Sequence, residues 1–131
     1  MAQAYKFDLV SPERLLLSEQ VDAVVIPASD GEMTVMAMHA PAMTTLRPGV
    51  VTVIRQGNAE RFVVFGGFAD ITPEACTLLA ESAVRVAELD KAELERSIQN
   101  AREDVRDAKD DATRAKAQEY LDHMVTMQAA L

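Results

Sequence analysis

Basic charge is in short supply: 13 Lys and Arg stand against 21 Asp and Glu, a net charge of −8 over 131 residues. The deficit is shared evenly, −4 in residues 1–87 and −4 in 88–131. An acidic chain of this kind argues against nucleic acid, which asks for a basic footprint, and against direct attachment to an anionic membrane. Cysteine is nearly absent. Cys76 stands alone and cannot form an intrachain disulfide, so a reducing, cytoplasmic compartment is expected. Long apolar runs are missing as well: none approaches the roughly 20 residues of a membrane-spanning helix. Lys6, Asp8 and Pro12 leave no room for the apolar stretch of a signal peptide.

Glycine and proline are absent from the last part of the chain. All five of each lie at or before Pro73, and from Glu88 onward Ala, Glu, Asp, Lys and Arg dominate. This break predicts a turn-rich domain over 1–87 and a helical one over 88–131. In the first part the hydrophobic period is two. Tyr5, Phe7 and Leu9 alternate with Lys6 and Asp8, a half-buried strand ended by Ser11-Pro12. Further strands are expected over 15–18, 21–25 (interrupted by Pro27), 32–36, 50–55, 60–65, 68–72, 76–81 and 84–87. Asp30-Gly31, Pro48-Gly49 and Gly57-Asn58 read as turns. Gly66-Gly67 inside a strand pattern suggests a bulge or a close backbone approach. Eight to ten short strands at this spacing indicate a β-sandwich or barrel.

In the second part the period is helical. Asp90 with Glu93 forms a plausible capping box, and Leu94, Ile98, Ala101, Val105 and Ala108 recur as a narrow seam. Asp107, Asp110 and Asp111 oppose the macrodipole at the end of that helix but suit the start of another. The second helix is expected to carry Ala117, Leu121, Met124 and Leu131 on one face, giving an antiparallel two-helix hairpin.

Motifs of catalysis are wanting. His39 and His123 have no partner at ligand spacing, and no phosphate loop, nucleophile elbow or dinucleotide fingerprint occurs. The acidic run 104–111 lacks the glycine and spacing of a calcium loop. The informative stretch is 30–51, DGEMTVMAMHAPAMTTLRPGVV, bracketed by two turns and almost uncharged inside. It is too broken for a helix, and only its ends are expected to be strands. It reads as a constrained loop presenting Met33, Met36, Met38 and Met43. Methionine suits core filling and adaptable interfaces alike, so both readings stay open, and the second points to a docking element rather than an enzyme.

Gly31, His39-Ala40-Pro41, Leu46-x-Pro48-Gly49-Val50, Gly66-Gly67-Phe68 and Leu79-Ala80-Glu81-x-Ala83 follow one another ahead of a helical hairpin. In this order and spacing the chain resembles, over essentially its whole length, the epsilon subunits of bacterial F-type ATP synthases, whose mitochondrial counterpart is called delta. The resemblance implies a ten-stranded β-sandwich followed by a two-helix domain. It implies a non-catalytic rotor subunit at the foot of the central stalk, bound to the gamma subunit and the c ring, coupling proton-driven rotation to ATP synthesis. Such a subunit is peripheral to the cytoplasmic side of the bacterial inner membrane, with no insertion of its own. By resemblance Ser11 and His39 match positions facing gamma, and Glu32 a position near the polar loops of the c ring. Met36, Met38, Pro41 and Met43 would supply dry contact there.

This sequence departs from the family pattern at Thr34 and Met38, where glycines are usual, so an altered local turn is expected. Some bacterial relatives bind ATP through Ile or Leu, Asp, two variable residues and Arg-Ala. Here Leu89-Asp90-Lys91-Ala92 runs into Glu93-Leu94, and Leu121 and Val125 stand where arginines are expected in the second helix. Without those cations a triphosphate is poorly held, and no cofactor is expected. In relatives the hairpin can open and reach the catalytic head to block hydrolysis. The second helix has only Arg114 and Lys116 as cations, which weighs against strong inhibition. A free-standing β-sandwich adaptor for an unrelated partner is the alternative.

Overall fold

The computed structural model describes residues 3–131. Its elements run β1 (Tyr5–Val10), β2 (Leu15–Val21), β3 (Ala23–Ala28), β4 (Gly31–Met36), β5 (Ala42–Thr45), β6 (Gly49–Arg55), β7 (Asn58–Val64), β8 (Gly67–Ile71), β9 (Ala75–Ala80) and β10 (Ala83–Arg85). A 3₁₀ turn (Val86–Glu88) and the helices α1 (Lys91–Asp107) and α2 (Asp111–Ala129) follow. The chain divides into two compact units, one ending at Arg85 and the other Val86–Leu131.

In the first unit the ten strands form two five-stranded sheets, β2-β1-β9-β8-β5 and β10-β7-β6-β3-β4. The alternation read from sequence is what closes them into a sandwich. Phe7 and Leu9 of β1, Ile71 and Leu78 of the first sheet, and Val24, Ile26, Val35, Val51, Val53 and Phe62 of the second are all essentially inaccessible to solvent. They form one core. Each such side chain contributes about 1.5–3 kcal/mol on burial. One buried hydrogen bond crosses the core, from Tyr5 Oη to the Val35 carbonyl at 2.6 Å. It ties the first strand to β4 and satisfies the one polar atom that Tyr5 carries inside.

Several expectations need correction. The stretch 30–51 is not strand only at its ends, because β5 (Ala42–Thr45) forms within it and pairs antiparallel with β8. Its alternation, Met43 and Thr45 outward, was hidden by the short length and the flanking proline. Pro27 does not interrupt β3, which continues to Ala28 opposite Gly31. The registered pairing with β6 ends at Val25, so the ring sits where β3 is bonded through strand registry to β4 alone. The tight hairpin turn is Gln56-Gly57, both with positive φ, rather than Gly57-Asn58, which already begins β7. The last strand stops at Arg85, and a 3₁₀ turn takes the following residues. Gly67 is the close approach anticipated: a Cβ there would lie 2.0 Å from the Leu79 carbonyl oxygen.

In the second unit Asp90 caps α1 by accepting from the Glu93 amide at 3.1 Å, and Asp110 caps α2 by accepting from Thr113 at 2.7 Å. Ala108 and Asp110 both take extended backbone, which turns the chain without glycine or proline. Arg114 then donates to the Ala108 carbonyl at 2.9 Å, closing the turn. Leu94, near the start of α1, lies beside Met127, near the end of α2, so the helices run antiparallel. Leu94, Ile98 and Ala101 are buried as the seam predicts. On α2 the buried residue is Met127, with Ala130 just beyond the helix, whereas Leu131 is exposed. Ala117, Leu121 and Met124 are half-buried, and Leu131 lies beyond the end of α2.

Candidate docking surface

Residues 30–51 carry the chain from the second sheet to the first and back. β4 is the edge of the second sheet and β5 the edge of the first, and residues 37–41 bridge them. Met36 (48 % exposed), Met38 (70 %) and Met43 (68 %) line this crossover, with Met33 turned inward against the core. Met33 thus fills the core, while Met36, Met38 and Met43 are open to solvent. The crossover is held by its backbone: the Met38 amide donates to the Pro73 carbonyl at 2.9 Å and the His39 amide to Met36 at 3.3 Å. His39 Nδ1 donates to the Ala40 carbonyl at 2.7 Å, since a carbonyl oxygen only accepts.

Met38 has φ +66°, the left-handed region. The methionine thus keeps the backbone that a glycine would take without strain, at a cost of about 1–2 kcal/mol. Thr34 is different. It occupies an ordinary strand position opposite Val25, where a side chain meets no backbone objection.

The other anticipated residues fall apart from this group. Ser11 lies in the β1–β2 turn, where its amide and hydroxyl both donate to the Arg14 carbonyl at 2.9 and 3.3 Å. Glu32 points outward from β4 of the second sheet, opposite Pro27, four residues and about 13 Å along the strand from Met36. Ser11 adjoins the first sheet and Glu32 belongs to the second. Pro41 is exposed at the entrance to β5.

A second exposed surface was not anticipated. On the outer face of the first sheet Leu15, Val10, Leu79 and Phe68 stand in one row across neighbouring strands β2, β1, β9 and β8. Leu15, Leu79 and Phe68 are 58, 38 and 39 % exposed. A hollow of about 380 Å³ lies along Val10, Leu79 and Phe68, lined also by Ser11, Pro12 and Glu81. The signal was available: Val10, Phe68 and Leu79 occupy alternation positions that should face water, yet none is polar.

Chemistry is little supported. Burial, with Asp70 nearby, pushes the Cys76 thiol up to about 12, the opposite of an activated nucleophile. A wider hollow of about 700 Å³ at the helical turn is ringed by Asp104, Asp107 and Asp110 beside Lys109 and Lys116. Among the described residues no group of acidic, histidine or cysteine side chains converges on a metal position.

The chain matches the family model described as "ATP synthase, Delta/Epsilon chain, beta-sandwich domain" over residues 4–86. It is 63 % identical to an ATP synthase epsilon chain of Mesorhizobium japonicum and 52 % identical to one of Brucella anthropi, in each case over all of this chain and 98 % of the relative. Its fold is similar to a chain in the Euglena gracilis mitochondrial ATP synthase, solved as OSCP/F1/c-ring, with a TM-score of 0.83, 27 % identity and coverage of 97 % of this chain and 81 % of that one. A chain from the Tetrahymena thermophila mitochondrial ATP synthase shares the fold at 14 % identity, with a TM-score of 0.66 over 98 and 97 % of the two chains. This chain belongs to the ATP synthase delta/epsilon chain family.

Proposed function

We propose that the chain is the rotor subunit that fastens the c ring to the gamma subunit of a bacterial proton-translocating ATP synthase, with the β4–β5 crossover as its docking element for gamma. One observation carries the assignment of the crossover. Three exposed methionines, an exposed proline and His39 are held on a hydrogen-bonded bridge between two sheet edges. A surface both apolar and fixed loses little conformational entropy on binding. Glu32, on an outward strand position near the Asp30-Gly31 turn, is suited to basic or polar loops of the c ring. No helix among the described residues is long and apolar enough to cross a membrane. The chain then sits peripherally, on the cytoplasmic side of the inner membrane, through its partners.

The start of α1 is a poor nucleotide site. At the start of α1 the hollow has a volume of about 210 Å³, below the ~300–1,000 Å³ usual for ligand sites. Glu88, Asp90 and Glu93 line it without any Lys or Arg. Three carboxylates repel a triphosphate, so ATP binds weakly or not at all. Contact of the helices with the catalytic head, and control of ATP hydrolysis by it, is a regulatory role that removal of 88–131 addresses.

The experiment is rebinding to ATP synthase stripped of this subunit. The wild-type chain is expected to co-purify with gamma, and the pair Met38→Ser, Met43→Ser to bind at least tenfold more weakly with unchanged folding. Wild-type binding unaltered by these substitutions would remove the crossover from the account.

A further inference from the structure

The exposed sulfur of this protein is gathered in one place. Among the described residues the methionines open to solvent are Met36, Met38 and Met43, and all three line the β4–β5 crossover. Met33 packs against the core, Met124 is half-buried, Met127 is buried on α2, and the one thiol, Cys76, is wholly inaccessible. A thioether needs no deprotonation before it reacts with a peroxide, so exposure decides which of these sulfurs is oxidised first. The chain therefore meets an oxidant through its docking element. Oxidation there leaves the fold in place. The Met38 and His39 amides hold the crossover through the Pro73 and Met36 carbonyls, and none of the three side chains fills the core.

We propose that Met36, Met38 and Met43 are a peroxide-sensitive modification site, through which oxidation of the undocked chain blocks its docking to gamma. This assignment rests on the docking of gamma to the crossover proposed above. A sulfur lone pair attacks one oxygen of hydrogen peroxide and the O–O bond breaks. The products are a sulfoxide and one water, with two electrons passed from sulfur to the peroxide. Hydrogen peroxide is the sole co-reactant. Each new S=O is a hydrogen-bond acceptor on what was an apolar side chain. In the free chain water satisfies that oxygen, so the folded state loses little. In a dry contact it has no donor, and its desolvation weakens binding. Docking in turn covers the same sulfurs, so the assembled subunit resists an oxidant that the free one does not.

The test treats the full chain alone with hydrogen peroxide, removes the excess with catalase and measures rebinding to the untreated stripped complex. Peptide mass mapping is expected to find sulfoxide at Met36, Met38 and Met43 before Met33 and Met127, with the urea midpoint unchanged. Affinity is expected to fall roughly tenfold or more and to return after treatment with methionine sulfoxide reductases and dithiothreitol. The triple variant Met36→Leu, Met38→Leu, Met43→Leu keeps Met1, Met33, Met124 and Met127. Whatever its starting affinity, peroxide is expected to leave that affinity where it was. Oxidised wild type that binds as before, with sulfoxide mapped at all three positions, would overturn the switch, as would a triple variant that peroxide still weakens. Oxidation of Met33 or Met127 ahead of the crossover would overturn the site. An untreated wild-type chain that fails to rebind would overturn gamma docking itself, on which the switch rests. Equal oxidation of the crossover in the free chain and in the assembled complex would remove it from the interface, also contrary to the proposal.

Discussion

Met38 carries a side chain on left-handed backbone. The family pattern has glycine there, and the methionine sits at φ +66°, where a glycine would be free of strain. Met38→Gly relieves about 1–2 kcal/mol of left-handed strain and returns about 0.5–1 through the freer unfolded chain. A net gain of about 0.5–1 kcal/mol is expected in urea unfolding, alongside weaker docking from the lost side chain. Gly67 behaves oppositely. Its φ is +118° and an added Cβ would strike the Leu79 carbonyl, so Gly67→Ala is expected to destabilise the sandwich by at least about 3 kcal/mol in the same assay. Cys76 gives a test by pH. Its thiol is raised from 9.0 to about 12 in the folded chain, chiefly by burial. A raised folded value means stability is whole below pH 9 and falls as pH climbs from about 9 towards 12, where only the unfolded thiol has lost its proton. Thiol reagents at pH 8 should label Cys76 only in denaturant; rapid labelling of the native chain would contradict its burial.

Elements were legible where a side chain or a charge states its own reason. The β1 alternation, the Asp90 cap and the aspartates that restart a helix at Asp110 all announce themselves, because each satisfies a local need of the backbone. β5 and the exposed row on the first sheet did not. A four-residue strand has too few alternations to read, and a row across four strands exists only once the register is known. The same limit hid the ion-pair cluster at the far edge of the sandwich. Arg55 meets Glu19 and Glu60, and Arg85 meets Glu60, stacks 5.0 Å from the Phe62 ring and donates to the Leu16 carbonyl at 2.9 Å. These contacts join β2 of one sheet to β6, β7 and β10 of the other. Arg85→Ala should cost about 2 kcal/mol, whereas Arg106→Ala, whose Asp107 partner lies in solvent, should leave the unfolding midpoint in place.

The whole molecule is two units with different kinds of cohesion. The sandwich has a continuous core of valine, isoleucine, leucine and phenylalanine, while the hairpin buries Leu94, Ile98, Ala101 and Met127 along a narrow seam. The docking element proposed for gamma lies in the sandwich. Removal of 88–131 is therefore expected to leave rebinding to the stripped complex intact within about twofold, and an ATP hydrolysis assay of that complex reads the regulatory role separately. An unchanged hydrolysis rate would remove inhibition from the account without touching rotor coupling. Coupling itself is tested by proton-driven ATP synthesis in vesicles carrying the stripped complex, measured with no addition, with the wild-type chain and with the Met38→Ser, Met43→Ser variant. Synthesis restored by the wild-type chain and poorly by the variant is the predicted result; full synthesis without any addition would contradict the account.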